Sequence, residues 1–60
     1  MRFSTFWELL TAQLGEVYAK SFAEDQVISE IGVTINQAFA LGIPAIEVWR
    51  AVCTQQGWPD

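Results

Sequence analysis

The chain has 60 residues, enough for one small domain, and 52% hydrophobic content with only 17% charged residues excludes a disordered tail. Three basic residues (Arg2, Lys20 and Arg50) face seven acidic ones, for a net charge of -4. Phosphate recognition needs clustered Lys and Arg, so direct nucleic-acid binding is not expected, nor is docking on an anionic membrane surface, where each cation contributes about 1 kcal/mol.

In chain order, the first predicted element starts at Thr5. Thr5 and Glu8 are spaced as a capping box, and Phe3, Phe6, Trp7, Leu10 and Leu14 recur at helical steps on one stripe. A helix over residues 5–14 follows. Residues 16–31 are less simple. With Tyr18 at zero on a wheel of about 100° per residue, Phe22 falls near 40°, but Val27, Ile28 and Ile31 fall near 180° to 280°. Ser21 and Glu24 form a second capping-box spacing. The reading is a break near residues 23–25, with a helix buried on two sides as the alternative.

The third element begins at Thr34, which pairs with Gln37 as a capping box, and it turns Ile35, Ala38 and Phe39 inward before ending at Gly42. The fourth follows Pro44, a residue tolerated in or just before a first turn. Its stripe is Ala45, Ile46, Trp49, Val52 and Cys53, and Gly57 ends it, leaving Trp58, Pro59 and Asp60 as a tail. The four glycines, Gly15, Gly32, Gly42 and Gly57, stand where periodic segments stop, as left-handed C-caps would. Period-two alternation is confined to residues 31–35 and is interrupted there by Gly32.

The fold class expected is therefore all-α, a compact single-domain bundle of three to four short helices over residues 1–60. Its expected core is Phe6, Trp7, Leu10, Phe22, Ile28, Phe39, Trp49 and Val52. Size scaling gives about 3,900 Å² of folded surface against roughly 9,700 Å² unfolded. Burial then contributes on the order of 85 to 90 kcal/mol, against ~90 kcal/mol of ordering cost. A margin that thin does not support an elaborate cleft.

Chemistry-bearing residues are sparse. Glu24 and Asp25 are adjacent, so on a helix they point about 100° apart and do not converge as an acid/base pair. Cys53 is the only cysteine and the chain has no histidine, which removes disulfides, Cys/His zinc sites and the usual base for a thiol nucleophile. Cys53 reads as a buried, inert thiol. Neither catalytic, cofactor-binding nor metal-ligating residues are expected. The four Phe, three Trp and one Tyr belong first to the core. Trp58 lies beyond the last stripe, where it either folds back over the core or stands exposed as a partner contact. Arg50 sits beside the fourth stripe, with Glu47 as an i,i+3 partner worth ~0.2 to 0.5 kcal/mol. Trp58 and Arg50 are the candidate partner-binding residues. The longest apolar run, residues 38–46, holds Gly42 and Pro44 and is far short of the ~20 residues that cross a bilayer. Ser4, Thr5 and Glu8 interrupt any apolar signal core after Met1 and Arg2, so a cytoplasmic protein is expected.

Several blocks carry a family resemblance: residues 2–8, with Arg2, Phe3, Phe6, Trp7 and Glu8; Tyr18 and Ala19; Asp25, Gln26 and Val27; residues 38–42; and Val48, Trp49, Arg50, Ala51, Val52 and Cys53. Together they resemble the short actinobacterial proteins of domain of unknown function family 3046. The resemblance implies a cytosolic, compact helical protein with no assigned activity. It also implies genes lying near those of the main recombinase and its regulator, hence a link to the regulation of DNA repair by neighbourhood alone. The family opens its last helix with Asp-Pro where Pro44 and Ala45 stand here, so a side-chain cap is lost. The functional expectation is a non-enzymatic protein-protein interaction module. The alternative is a self-associating, homodimeric structural module. Both follow from a mean hydropathy of +0.24 on a chain too small to hide every large side chain.

Overall fold

The computed structural model describes residues 1–59; Asp60, read from the sequence as part of the tail, lies outside the described residues. Four helices and one small hairpin follow each other as α1 (Phe3–Leu14), α2 (Glu16–Asp25), β1 (Val27–Ile28), β2 (Val33–Thr34), α3 (Ile35–Ala40) and α4 (Ala45–Gln56). The all-α expectation is corrected by the hairpin, which pairs Val27 with Thr34 and Ile28 with Val33 in antiparallel register. All of these pairing residues are β-branched, which suits a pleated surface. Gly32, read as a strand breaker, is instead the turn residue: at φ 72° it lets residues 29–32 reverse the chain. Its N–H and that of Ile31 both donate to the Ile28 carbonyl, at 2.8 and 3.1 Å.

α1 starts two residues before the sequence expectation. Phe3 lays its ring edge-on against Phe39, with centroids 4.8 Å apart, and the first turn is held back to Arg2 by the Phe6 N–H donating to the Arg2 carbonyl at 3.0 Å. Thr5 is thereby inside the helix and the Thr5–Glu8 capping box does not form; Arg2 is the N-cap, without a side-chain cap bond. The Ser21–Glu24 box fails for the same reason, since Ser21 lies within α2 and its hydroxyl donates one turn onward to Asp25 at 3.5 Å. The change of face read near residues 23–25 is the end of α2 at Asp25, after which Gln26 is extended. At α3 the capping box forms as read. Gln37 N–H donates to Thr34 Oγ1 at 3.2 Å, and Thr34 N–H donates to Gln37 Oε1 at 3.0 Å. Thr34 is thus a buried polar residue with both groups partnered. α4 begins after Pro44 with no side-chain cap, as loss of the family's Asp implies.

α1 packs against α2 and α4, α3 against α2 and α4, and the hairpin lies between α2 and α4. At the centre Phe6, Leu10, Ile28, Ile35, Val48 and Val52 are fully buried. Of the expected core, Trp7 and Phe39 are only half-buried at its margin, whereas Val48 and Ala51, absent from the predicted stripe, are buried. Edge-to-face rings run from Phe3 to Phe39 to Phe6 to Trp49, each step at 4.8 to 5.8 Å. Such pairs add about 0.5 to 1.5 kcal/mol each beyond their buried area. The accessible surface is 3803 Å², matching the monomer expectation of about 3,900 Å².

Candidate functional site

The groups with chemical potential do not converge. Glu24 and Asp25 are both exposed at the end of α2. Cys53 is 2% exposed on the inner face of α4, as its stripe position implied. Among the described residues, groups of three or more His, Cys, Asp or Glu placed to hold a metal are absent. No helix of the described chain is long and apolar enough to cross a membrane.

Of the two residues that the sequence marks as partner contacts, Arg50 is exposed on α4, and its backbone carbonyl accepts the Thr54 hydroxyl at 3.0 Å. Among the described residues its side chain forms no ion pair with Glu47. Trp58 is half-buried. Gly57 in the left-handed conformation turns the chain back, Trp58 N–H donates to the Cys53 carbonyl at 2.9 Å, and the indole lies 6.1 Å from that of Trp49. This 6→1 bond is the signature of a Schellman C-cap. The structure therefore seats Trp58 on the core while leaving Arg50 on an open face, and it does not bring the two together.

α3, a short turn containing Gly42 and α4 follow one another in the order of a helix-turn-helix unit. In DNA-binding versions the start of the second helix meets the bases and its flanks meet phosphates. Here the exposed positions of α4 are Glu47, Arg50, Thr54 and Gln56, with the carboxylate nearest the helix start. That face carries one charge of each sign and so presents no cationic stripe to phosphate.

Several large apolar side chains are exposed, among them Val17, Leu41, Tyr18 and Val27, and one of them, Phe3 on α1, belongs to a cluster of three rings. Phe3 is 58% exposed although its ring touches Phe39 at 4.8 Å and Trp7 at 6.0 Å. Trp7 and Phe39 are half-buried beside it. The patch continues through Trp7 into an open depression lined by Ser4, Trp7, Glu8, Thr11 and Ala12. These residues recur at three- and four-residue steps, so the depression runs along the axis of α1. The helical wheel places Phe3 on the stripe with Phe6 and Leu10; it does not show that Phe3 remains exposed.

A family model described as Protein of unknown function (DUF3046) matches residues 1–60. The chain belongs to that family. The DUF3046 match spans both the α1 patch and α4, so both surfaces lie within the family domain. No curated protein and no solved structure matches the chain.

Proposed function

We propose that this DUF3046 protein is a non-enzymatic protein-protein interaction module of the cytoplasm. The observation that carries this reading is the placement of Phe3, 58% exposed and in ring contact with Phe39 and Trp7, which sets an aromatic cluster at the surface. Clustered exposed aromatic area on a small protein is a recurring mark of a contact surface. Arg50 and the outer edge of Trp58 supply further contacts on the α4 side. Among the described residues the carboxylates Glu24 and Asp25 are exposed and Cys53 is buried on α4, so the exposed ring cluster is the feature the reading builds on. An actinobacterial origin and a DNA-repair context come from the family resemblance and gene neighbourhood; they suggest which partners to try first and rest on no side chain.

Retention from a native cell extract on the immobilised protein tests the reading, with Phe3→Ser and Arg50→Glu as parallel baits. Specific retention that one of these substitutions abolishes is expected. A monodisperse monomer that retains nothing would overturn it. The homodimer reading predicts a melting temperature that rises with protein concentration, and a concentration-independent melt removes it.

A further inference from the structure

We propose that the surface formed by Phe3, Trp7, Glu8 and Phe39 docks a helical segment of another protein, one bearing an apolar anchor and, between one and two turns along, an arginine or lysine. This rests on the interaction-module reading and specifies its site and its ligand chemistry.

The apolar end is Phe3 and Phe39, two rings meeting at 64° with their centroids 4.8 Å apart. An aliphatic or aromatic side chain set against them removes apolar area from water on both partners. The polar end is the depression beyond Trp7, where Ser4, Thr11 and Ala12 leave room and Glu8 stands exposed on the rim. Trp7 and Glu8 are adjacent and point about 100° apart, so they flank the depression from two sides; a cation seated in it meets the ring quadrupole on one side and charge on the other, and a guanidinium also stacks flat on the ring. The five-residue step from Phe3 to Glu8 rises about 7.5 Å along α1 and turns about 140° around it, with Trp7 between, so the partner's cation stands more than one turn beyond its anchor and toward the Glu8 flank. Arg2 is the exposed N-cap of α1 and Glu8 lies more than one turn along it, so the start of α1 and the Glu8 position differ in sign and the partner's cation belongs at the Glu8 end.

Two observations disfavour a second copy of the chain as occupant. Phe3 is exposed but Trp7 and Phe39 are half-buried, so the apolar part of the surface is small, whereas a stable dimer buries about 800 Å² per partner. Each copy also carries a net charge of -4, so like meets like. A partner of opposite sign has no such penalty. The surface follows a helix axis and has no strand edge beside it, which suits an amphipathic helix laid along α1 rather than an added strand.

The test uses the full chain and two synthetic amphipathic peptides of about 18 residues, long enough to be helical. They share leucine anchors and differ in carrying arginine or glutamate on the flanking positions. Amide and indole chemical shifts are followed during titration of wild type and Glu8→Lys, a substitution at an exposed position. Expected are shifts confined to α1 and Phe39 with the arginine peptide, binding weaker by roughly tenfold or more with the glutamate peptide, and a reversed preference in Glu8→Lys. Equal affinity for both peptides, shifts centred on α4, or the same α1 shifts on raising protein concentration without peptide would each sink the proposal. If extract retention survives Phe3→Ser while the arginine peptide leaves α1 unmoved, the docking site falls and the interaction-module reading stands. Loss of retention by every bait defeats that reading itself.

Discussion

Gln55, in the last turn of α4, closes the hairpin turn onto the bundle through Ser29: its Oε1 accepts the Ser29 backbone N–H at 2.7 Å and the Ser29 hydroxyl at 3.1 Å. Its Nε2 reaches the Val27 carbonyl at 3.4 Å. One amide thus ties β1 and the first residue of the turn that follows it to α4, in a hairpin that two-residue strands hold weakly on their own. Gln55→Ala is expected to cost about 1 kcal/mol, which for a domain this size is a fall of ~4 to 8 °C in melting temperature. Ser29→Ala removes part of the same interaction, so the double variant should lose less than the sum, by roughly 0.5 kcal/mol or more. Strict additivity in thermal melts would show that the clamp is decorative.

Phe6 is fully buried and its ring meets three others edge-on, Trp7 at 5.4 Å, Phe39 at 5.0 Å and Trp49 at 5.8 Å. It therefore joins α1 to α3 and α4 at a single point. Phe6→Ala removes ~3 to 5 kcal/mol, most of what a chain of this length has, roughly 3 to 9 kcal/mol. Loss of near-ultraviolet dichroism and of cooperative melting is expected at room temperature. Phe6→Leu keeps most of the volume and should fold with a penalty of about 1.5 kcal/mol or less. A cooperative melt in Phe6→Ala would place the bundle's centre elsewhere.

Three of the four helices were legible because each has an apolar stripe and a stop: Phe6 and Leu10 before Gly15, Ile35 and Ala38 before Gly42, Trp49 and Val52 before Gly57; α2 ends at Asp25 without a glycine and showed only as a change of face near residues 23–25. Only the start at Thr34 was legible as a cap, since there the cap and the first apolar residue coincide. The hairpin was not, because two residues per strand give alternation nothing to repeat. The Gln55 clamp bridges residues 26 apart in sequence, a pairing that no local pattern encodes. Phe3 was placed on the right stripe, but its exposure depends on what packs beside it, and a wheel drawn for one helix carries no information about its neighbours. Trp58 lies past the periodic region; its seat on Trp49 is fixed by the left-handed turn at Gly57.

The α3–α4 unit provides a charge test. Three basic residues spread along a chain of net charge -4 give little counterion release on binding DNA. Gel retardation with duplex DNA at low salt is expected to show no shift, and Glu47→Lys with Thr54→Lys on the open face of α4 should create weak binding that salt abolishes. A salt-resistant complex with the unaltered chain would contradict the lack of a cationic stripe on α4.

Gly15 and Gly57 separate two kinds of backbone demand. At both, an added Cβ meets nothing within 4 Å, so substitution by alanine measures conformation without a steric clash. Gly57 sits at φ 74°, ψ 24°, the left-handed helical region, which alanine enters at a cost of roughly 1 to 2 kcal/mol. Gly15 is the single residue between α1 and α2, at φ 85°, ψ 158°, a region that is essentially glycine-only. No L residue reaches it without moving one helix against the other. Gly15→Ala is therefore expected to destabilise by more than Gly57→Ala, on the order of 2 to 3 kcal/mol, and to shift the α1–α2 packing around Ala19 and Phe22. Gly57→Ala should instead loosen Trp58 from Trp49, read as a red shift in tryptophan emission while the helical dichroism holds. Equal losses in the two variants would mean that the α1–α2 corner is not the constraint its angles describe.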